Sequence, residues 1–198
     1  MDNKVELERR VEIKPQSFKS YIQLFKKNYD LLSHTSRLSY MGFTITKDSS
    51  TDLRSRITNG ESEVVLKLGK LHAKDRVEIT QKIGKDELVG FAKIFSHLSS
   101  RNFIAERETY NFNTKEGVVI SVVKSAHISY IEFEILCDPK EVKANDKIIK
   151  ELVSKLGLRV LTDKEFNSLN SRLEAKDDWK FCDNPKNIDK LVELLKKY

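Results

Sequence analysis

The sequence predicts an α+β fold in which an antiparallel sheet of about eight strands carries helices contributed from several points along the chain. Three observations predict it. Short runs alternate apolar and polar residues and are separated by turn-forming segments. Longer segments between and after them repeat apolar residues at helical spacing. In most of the strand-like runs the polar parity is dominated by Glu and Arg rather than by a mixture of Ser, Thr, Gln and Lys.

The first run, VELERRVEI, places Val5, Leu7, Val11 and Ile13 on one parity, interrupted only by Arg9, with Glu6, Glu8, Arg10 and Glu12 on the other. Pro15 then suits a first helical turn, and Phe18, Tyr21, Ile22, Phe25 and Tyr29 form one amphipathic helix. Between Arg37 and Ile83 come RLSYMGFTI, DLRSRI, EVVLKLG and RVEITQKI, separated by KDSST, TNGES and KLHAKD. Asn59 and Gly60 tolerate positive φ and signal a hairpin, so this stretch reads as an antiparallel meander. A second helix follows through Leu88, Phe91, Ala92, Phe95 and Leu98. Three more strands, RNFIAERETYNF, GVVISVVK and HISYIEFEIL, turn at NTKEG and near KSA.

Asp138 and Pro139 open a helix through Val142, Ile149, Leu152 and Leu156, and Gly157 stands where a helix commonly stops. Thr162 and Glu165 have capping-box spacing ahead of a short helix with Phe166, Leu169 and Leu173. A final helix, from near Pro185, shows Ile188, Leu191, Val192 and Leu195 and is expected on the outside of the domain. The polar DDWKFCDNPKN is the one linker candidate.

At 198 residues the chain is long enough for one domain with a substantial core, and two full domains would be cramped. The expectation is a core domain over 1–173 and a C-terminal helical extension, 174–198, packing on it. With 39% hydrophobic and 33% charged residues, the composition is that of a folded protein rather than a disordered one. The net charge of +6 suits an anionic partner, but the bases are scattered. Cys137 and Cys182 have neither CxxC nor Cys/His spacing, so no disulfide framework or zinc site is indicated. The opening MDNKVELERR is too charged for a secretory signal and no apolar run is long enough for a bilayer span; a cytoplasmic location without membrane contact is expected.

Familiar glycine-rich phosphate loops are absent, so phosphate would have to be held by side chains. His34, His72, His97 and His127 show no metal-pair spacing and read as ordinary polar residues. Lys115, Lys124, Lys143, Lys147 and Lys150 read as hairpin tips and a solvated helix face before a nucleic-acid patch. Tyr110, Phe112 and Tyr130 fit core or rim positions better than base-stacking ones.

For any one strand, a charged parity is what a solvated sheet face would show. Taken together the strands ask for more. A sheet this large buries one face under helices, and if it curls its other face becomes a lumen, where charges need partners. Glu6/Glu8 and Glu132/Glu134 are each separated by one residue, so each pair aims both carboxylates at one face. Four carboxylates on two strands suit Mg²⁺ or Mn²⁺. Arg54, Arg56, Lys67, Arg76 and Arg107 would hold a polyanion, naturally a chain of linked phosphates.

These residues resemble the CYTH domains, the triphosphate tunnel metalloenzymes that include class IV adenylyl cyclases and thiamine triphosphatase-like proteins. ELERR is similar to the family's opening ExExK, DLRSR to its LRxR strand, EVVLKLG to its lysine-bearing strand, RVEIT to RxExE, AERETY to KxR and YIEFEI to the closing ExE. The resemblance runs from Val5 to about Leu173, with Phe166 to Leu169 in the place of the SYxxLL segment. It implies an eight-stranded antiparallel β-barrel, a triphosphate tunnel, with flanking helices. It implies metal binding by Glu6, Glu8, Glu132 and Glu134, with Glu78 as a helper. It also implies phosphate contacts from Arg10, Arg54, Arg56, Lys67, Arg76 and Arg107. Glu6, Glu8, Arg10 and Glu78 are the catalytic candidates. Arg10 stands where the family has lysine, Thr80 and Ala105 replace an acid and a base of its motifs, and VVISVVKS lacks a family aspartate.

The implied activity is Mg²⁺- or Mn²⁺-dependent hydrolysis of inorganic triphosphate, a nucleoside triphosphate or another organic triphosphate. Alternatives are a class IV type adenylyl cyclase, an RNA 5′-triphosphatase with an RNA end as partner, and a polyphosphate-binding module without turnover. The expected partner is a small-molecule triphosphate, and the expected state a monomer or homodimer.

Overall fold

The alternation of VELERRVEI forms β1 (Val5–Ile13), and Pro15–Ser17 makes a 3₁₀ turn that leads into α1 (Phe18–Asn28). The four-strand meander follows as β2 (Asp30–Ile45), β3 (Ser50–Thr58), β4 (Glu61–Gly69) and β5 (Val77–Ile83). Then come α2 (Glu87–Leu98), β6 (Arg101–Asn113), β7 (Val119–Lys124) and β8 (Ser129–Cys137). The chain ends with α3 (Val142–Lys155), α4 (Asp163–Ala175), β9 (Trp179–Phe181) and α5 (Lys186–Leu195). This computed structural model describes residues 5–47, 49–69, 77–175, 179–181 and 186–198.

The strand pairings β1–β8, β2–β3, β3–β4, β4–β5, β6–β7, β6–β9 and β7–β8 are antiparallel, and the hydrogen-bonded order is β1-β8-β7-β6-β2-β3-β4-β5 with β9 on β6. Eight strands and their flanking helices give the α+β fold that the sequence predicts. Turn chemistry agrees in detail. Asn59 (φ 49°) and Gly60 (φ 89°) take the two positive-φ positions of the β3–β4 hairpin. Gly157 (φ 69°) ends α3, where the Leu158 amide donates to Val153 O at 3.0 Å. Ahead of α4, the Thr162 amide donates to Glu165 Oε2 at 2.8 Å and the Glu165 amide to Thr162 Oγ1 at 3.3 Å, a capping box.

Contacts divide the chain into two compact units that interleave in sequence, Met1–His34 with Glu108–Arg172, and Thr35–Arg107 with Leu173–Tyr198. In the first, Leu7 and Val11 of β1, Phe112 of β6, Ile120 and Val122 of β7 and Ile131, Phe133 and Ile135 of β8 pack with Phe18, Ile22 and Phe25 of α1 and with Ile149, Leu152 and Val153 of α3. In the second, Leu38, Tyr40 and Ile57 of β2 and β3 and Ile104 of β6 pack with Leu88, Ala92 and Phe95 of α2 and Leu191, Leu194 and Leu195 of α5. In both units one sheet face is sealed by helices, which leaves the alternate residues for other uses.

Three local readings are corrected. β2 begins at Asp30, ahead of the alternation at Arg37, because its leading residues are mostly exposed and carry no apolar parity. Part of the linker candidate is β9, whose backbone pairs Trp179 with Ala105 and Phe181 with Phe103; its remaining residues and Cys182 lie outside the described ones or carry no described side chain. α5 buries Leu194 in the core while Val192 is exposed, a rotation of the apolar stripe from the predicted one.

Arg9, the break in the β1 alternation, points into the apolar side and forms an ion pair with Asp146 of α3, with Nη1 donating to Glu8 O at 2.8 Å. Burial opposes ionisation of Asp146, but the hydrogen bonds and charges of Lys150 and Arg9 hold its carboxyl below the usual range. Asp146→Ala is expected to lower unfolding stability by about 1–3 kcal/mol in urea titration, since it strands a desolvated guanidinium. Arg9→Met, which removes that charge and keeps its volume, is expected to cost less than Asp146→Ala.

Candidate functional site

In the first unit β1 and β8 pair so that Glu8 lies opposite Glu134 and Arg10 opposite Glu132. Directly opposed residues of an antiparallel pair share a face, and Glu6 joins them by the two-residue period. Because the other parity is committed to the core, the pleat itself gathers four carboxylates and one guanidinium. Arg10 sits among them. Its Nε is 2.5 Å from Glu8 Oε1 and its Nη2 is 2.8 Å from Glu132 Oε1. Nη1 donates to Asn170 Oδ1 at 2.8 Å, and the guanidinium carbon lies 5.0 Å from the ring centroids of both Tyr130 and Phe166. Burial opposes the Arg10 charge, yet Glu8 and Glu132 raise its pKa further above an already high value.

The remaining acids behave differently. Burial, then the charges of Glu6, Glu132 and Glu8, then a hydrogen bond with Glu6 push Glu134 up to about 8. Its carboxyl therefore holds a proton to higher pH than an ordinary glutamate does. Arg10 thus bridges Glu8 and Glu132 and offsets one of their two charges, while burial raises the Glu8 carboxyl above its ordinary range, and Glu134 is hydrogen-bonded to Glu6. Among the described residues, no three His, Cys, Asp or Glu side chains stand arranged to hold a metal ion. On β7 the face is continued by Ser121 opposite Glu132, whose Oγ donates to Asn111 Oδ1 at 2.7 Å, while Asn111 Nδ2 donates to Ser33 Oγ at 2.8 Å.

In the second unit the even residues of β3, Asp52, Arg54, Arg56 and Thr58, share a face with Arg37 of β2, Glu63 and Lys67 of β4 and Glu78 of β5. Asp52 is fully buried and takes Arg54 as a fork, Nε at 2.9 Å and Nη2 at 2.6 Å. Arg56 Nε meets Glu63 Oε1 at 2.6 Å, and Glu78 is held by Lys67 Nζ at 2.6 Å and Arg56 Nη2 at 3.6 Å. Burial opposes the Glu78 charge, but Lys67, then Arg56 and Arg54, keep its carboxyl below the usual range. Glu78 is thus a counter-ion at neutral pH and does not hold a proton. Arg107 of β6 is near enough to act on Arg37 together with Arg56 and Arg54.

Of the sequence candidates, Glu6, Glu8, Arg10, Glu132 and Glu134 come together in one unit, and Arg54, Arg56, Lys67, Glu78 and Arg107 belong to the other; Arg76 and His72 lie outside the described residues. Four participants escaped the sequence reading. Asp52 carried a signal, since it falls on the parity of Arg54 and Arg56, whereas Arg37 carried none, since its parity in β2 otherwise holds Ser39, Met41 and Phe43. Phe166 and Asn170 carried none as Arg10 partners, since nothing local tells which helix face meets a strand of distant sequence number. The lysines of α3 include Lys147 and Lys150, which pair with Glu151 (3.8 Å) and Asp146 (2.7 Å) as a solvated helix face would.

The raised Glu134 value fixes a stability trend. A folded-state pKa of about 8 against an ordinary 4.5 means that the native state keeps a proton which the unfolded chain has released in between. In a chelator, wild-type stability is expected to fall as pH rises from about 4.5 to about 8, by an amount on the order of a few kcal/mol. Glu134→Gln, which keeps the hydrogen bond and cannot ionise, is expected to flatten that slope in urea titrations at about pH 5 and about pH 9.

The sequence matches no protein-family model and no curated protein. Solved structures do match. PH1012 from Pyrococcus horikoshii OT3 superposes with a TM-score of 0.61 at 16% identity, over 79% of this chain and 94% of that one. A candidate adenylate cyclase from Vibrio parahaemolyticus gives 0.56 at 14% identity, over 83% and 98%. HpAC1 from Hippeastrum, described as a candidate adenylyl cyclase with a dominant triphosphatase activity, gives 0.50 at 14% identity, over 79% and 89%. At these identities the likeness is one of fold, and the chain has the fold of these proteins, the one implied by the resemblance of its ExE-bearing strands to the CYTH domains.

Proposed function

We propose that this protein is a metal-dependent triphosphatase acting on inorganic triphosphate or a small organic triphosphate. The observation that carries the reading is the geometry of the β1–β8 acid cluster, in which four carboxylates share one face with a single guanidinium that contacts two of them. Such a cluster is a set of hard oxygen donors suited to Mg²⁺ or Mn²⁺, and Glu134 would give up its proton as it took the ion. The triphosphatase activity described for HpAC1, a protein of the same fold, adds support.

Each residue class would then have a distinct task. Arg54, Arg56, Lys67 and Arg107 would grip phosphate oxygens, Asp52 and Glu63 would fix two of those guanidiniums in place, and Glu78 would hold Lys67. Arg10 cannot exchange a proton at neutral pH, so its part would be to orient Glu8 and Glu132 and to supply fixed positive charge. A divalent ion in the acid cluster would neutralise charge on the transferred phosphoryl group and activate a water. Catalysis by this chain's own groups would be positioning and electrostatics.

A second reading, a polyphosphate-binding module without turnover, is favoured by one observation. Arg10 already occupies Glu8 and Glu132, and the described residues offer no ready group of three metal ligands. Product analysis separates the readings. With inorganic triphosphate and Mg²⁺ or Mn²⁺, phosphate release is expected, falling by about 10²-fold or more in Glu6→Gln and to background with a chelator. Metal-supported binding with no product over hours would favour the module. With ATP, cyclic AMP and pyrophosphate would identify a cyclase, and preference for a triphosphate-ended RNA, weakening with salt, would identify an RNA 5′-triphosphatase.

A further inference from the structure

Arg37 is assigned no part by the resemblance, and its surroundings give it one. It lies on β2 opposite Thr58, one two-residue step beyond the Ser39–Arg56 pair towards the β3–β4 hairpin, a distance of about 7 Å along the strand. Its side chain is partly buried. Nε donates to Thr58 Oγ1 at 2.9 Å, and among the described residues no carboxylate forms an ion pair with it. The neighbouring guanidiniums are differently placed: Arg54 is forked on Asp52, and Arg56 is bonded to Glu63. Arg37 borders a pocket of about 340 Å³ at the hairpin end, with Thr58, Ser62, Glu63 and Lys82 among its walls. Burial, then Arg56, Arg107 and Arg54, push Arg37 down to about 10, with Glu63 offsetting them in part, so three guanidiniums act on it against one carboxylate and an oxyanion would relieve the excess.

A desolvated cation without a counter-ion is costly in a folded protein unless a ligand completes it. The guanidinium keeps its Nη donors outside the Thr58 bond, and the pocket offers the hydroxyls of Thr58 and Ser62 beside it. Lys82 is committed at 3.1 Å to the exposed Glu61, so its charge is already balanced. The same face continues from Arg54 through Arg56 to Arg37 in a line set by the strand register. A linear phosphate chain held by Arg54 and Arg56 and continuing in the hairpin direction would reach Arg37.

We propose that Arg37 binds a phosphoryl group beyond those held by Arg54 and Arg56, so that this basic row selects longer linear polyphosphates over triphosphate. The proposal rests on the polyphosphate reading of that row. It is tested by isothermal titration calorimetry of the full chain with inorganic triphosphate and inorganic tetraphosphate, in chelator and in Mg²⁺, for wild type, Arg37→Gln, Arg37→Lys and Arg54→Gln. Wild type is expected to bind tetraphosphate more tightly. Arg37→Gln is expected to lose about tenfold or more in tetraphosphate affinity and less than about threefold for triphosphate, while Arg37→Lys keeps tetraphosphate within about threefold of wild type. Arg54→Gln is expected to weaken both ligands. Tetraphosphate binding by Arg37→Gln equal to wild type, or equal losses for both ligands, overturns the assignment of Arg37 and leaves the basic-row reading standing. Absence of wild-type binding to either anion overturns both. Thermal melts of the same samples confirm folding, and Arg37→Gln, which relieves like-charge repulsion, is expected to melt no lower than wild type.

Discussion

The guanidinium of Arg10, held between Glu8 and Glu132 and flanked by Tyr130 and Phe166, is the interaction on which the acid face of the first unit depends. Four carboxylates arise there as a consequence of the pleat. Once the apolar parity of β1 and β8 is committed to the core with α1 and α3, Glu6, Glu8, Glu132 and Glu134 are forced onto the other face. Desolvated like charges at such spacing cannot all ionise unless a cation joins them. Arg10 is one such cation supplied by the chain; it contacts two of the four and balances one charge. Burial and the neighbouring carboxylates raise Glu134 towards its protonated form, and the cluster as a whole keeps an unmet demand for positive charge.

The second unit solves the opposite problem by the same means. Its face has an excess of guanidinium and ammonium groups, and the acids within it are placed as counter-ions for particular partners, Asp52 for Arg54, Glu63 for Arg56 and Glu78 for Lys67. Fixing an Arg by a buried carboxylate holds its fork in one orientation at the cost of part of its charge, which suits a binding surface that must be ready before its ligand arrives. Arg37 is the member of the face that the described acids do not pair, and it gives the row its net attraction for an anion.

Much of this was legible in the sequence for a physical reason. Period-2 alternation, Asn59-Gly60 and the capping signals at Asp138 and Thr162 are local, and each was written within a few residues of where it acts. The parity of Glu6, Glu8, Arg10, Arg54 and Arg56 follows from the same local rule. What could not be read is long-range: that Arg9 would be rescued by Asp146, that α4 would bring Phe166 and Asn170 to Arg10, and that β9 would pair with β6. The exposed start of β2 carried no hydrophobic signal at all. Arg37 belongs with these, since only the pairing of β2 with β3 brings it level with Thr58.

We propose that the β1–β8 acid cluster is a divalent-cation site with a function in polyphosphate chemistry. Its most direct test is an electron paramagnetic resonance titration of Mn²⁺ with the full chain and inorganic triphosphate, comparing wild type with a Glu6→Gln/Glu132→Gln double variant. Loss of the free-ion signal is expected in wild type beyond what triphosphate alone removes, with recovery of that signal in the double variant. A wild-type signal identical to that of Mn²⁺ with triphosphate alone would contradict it.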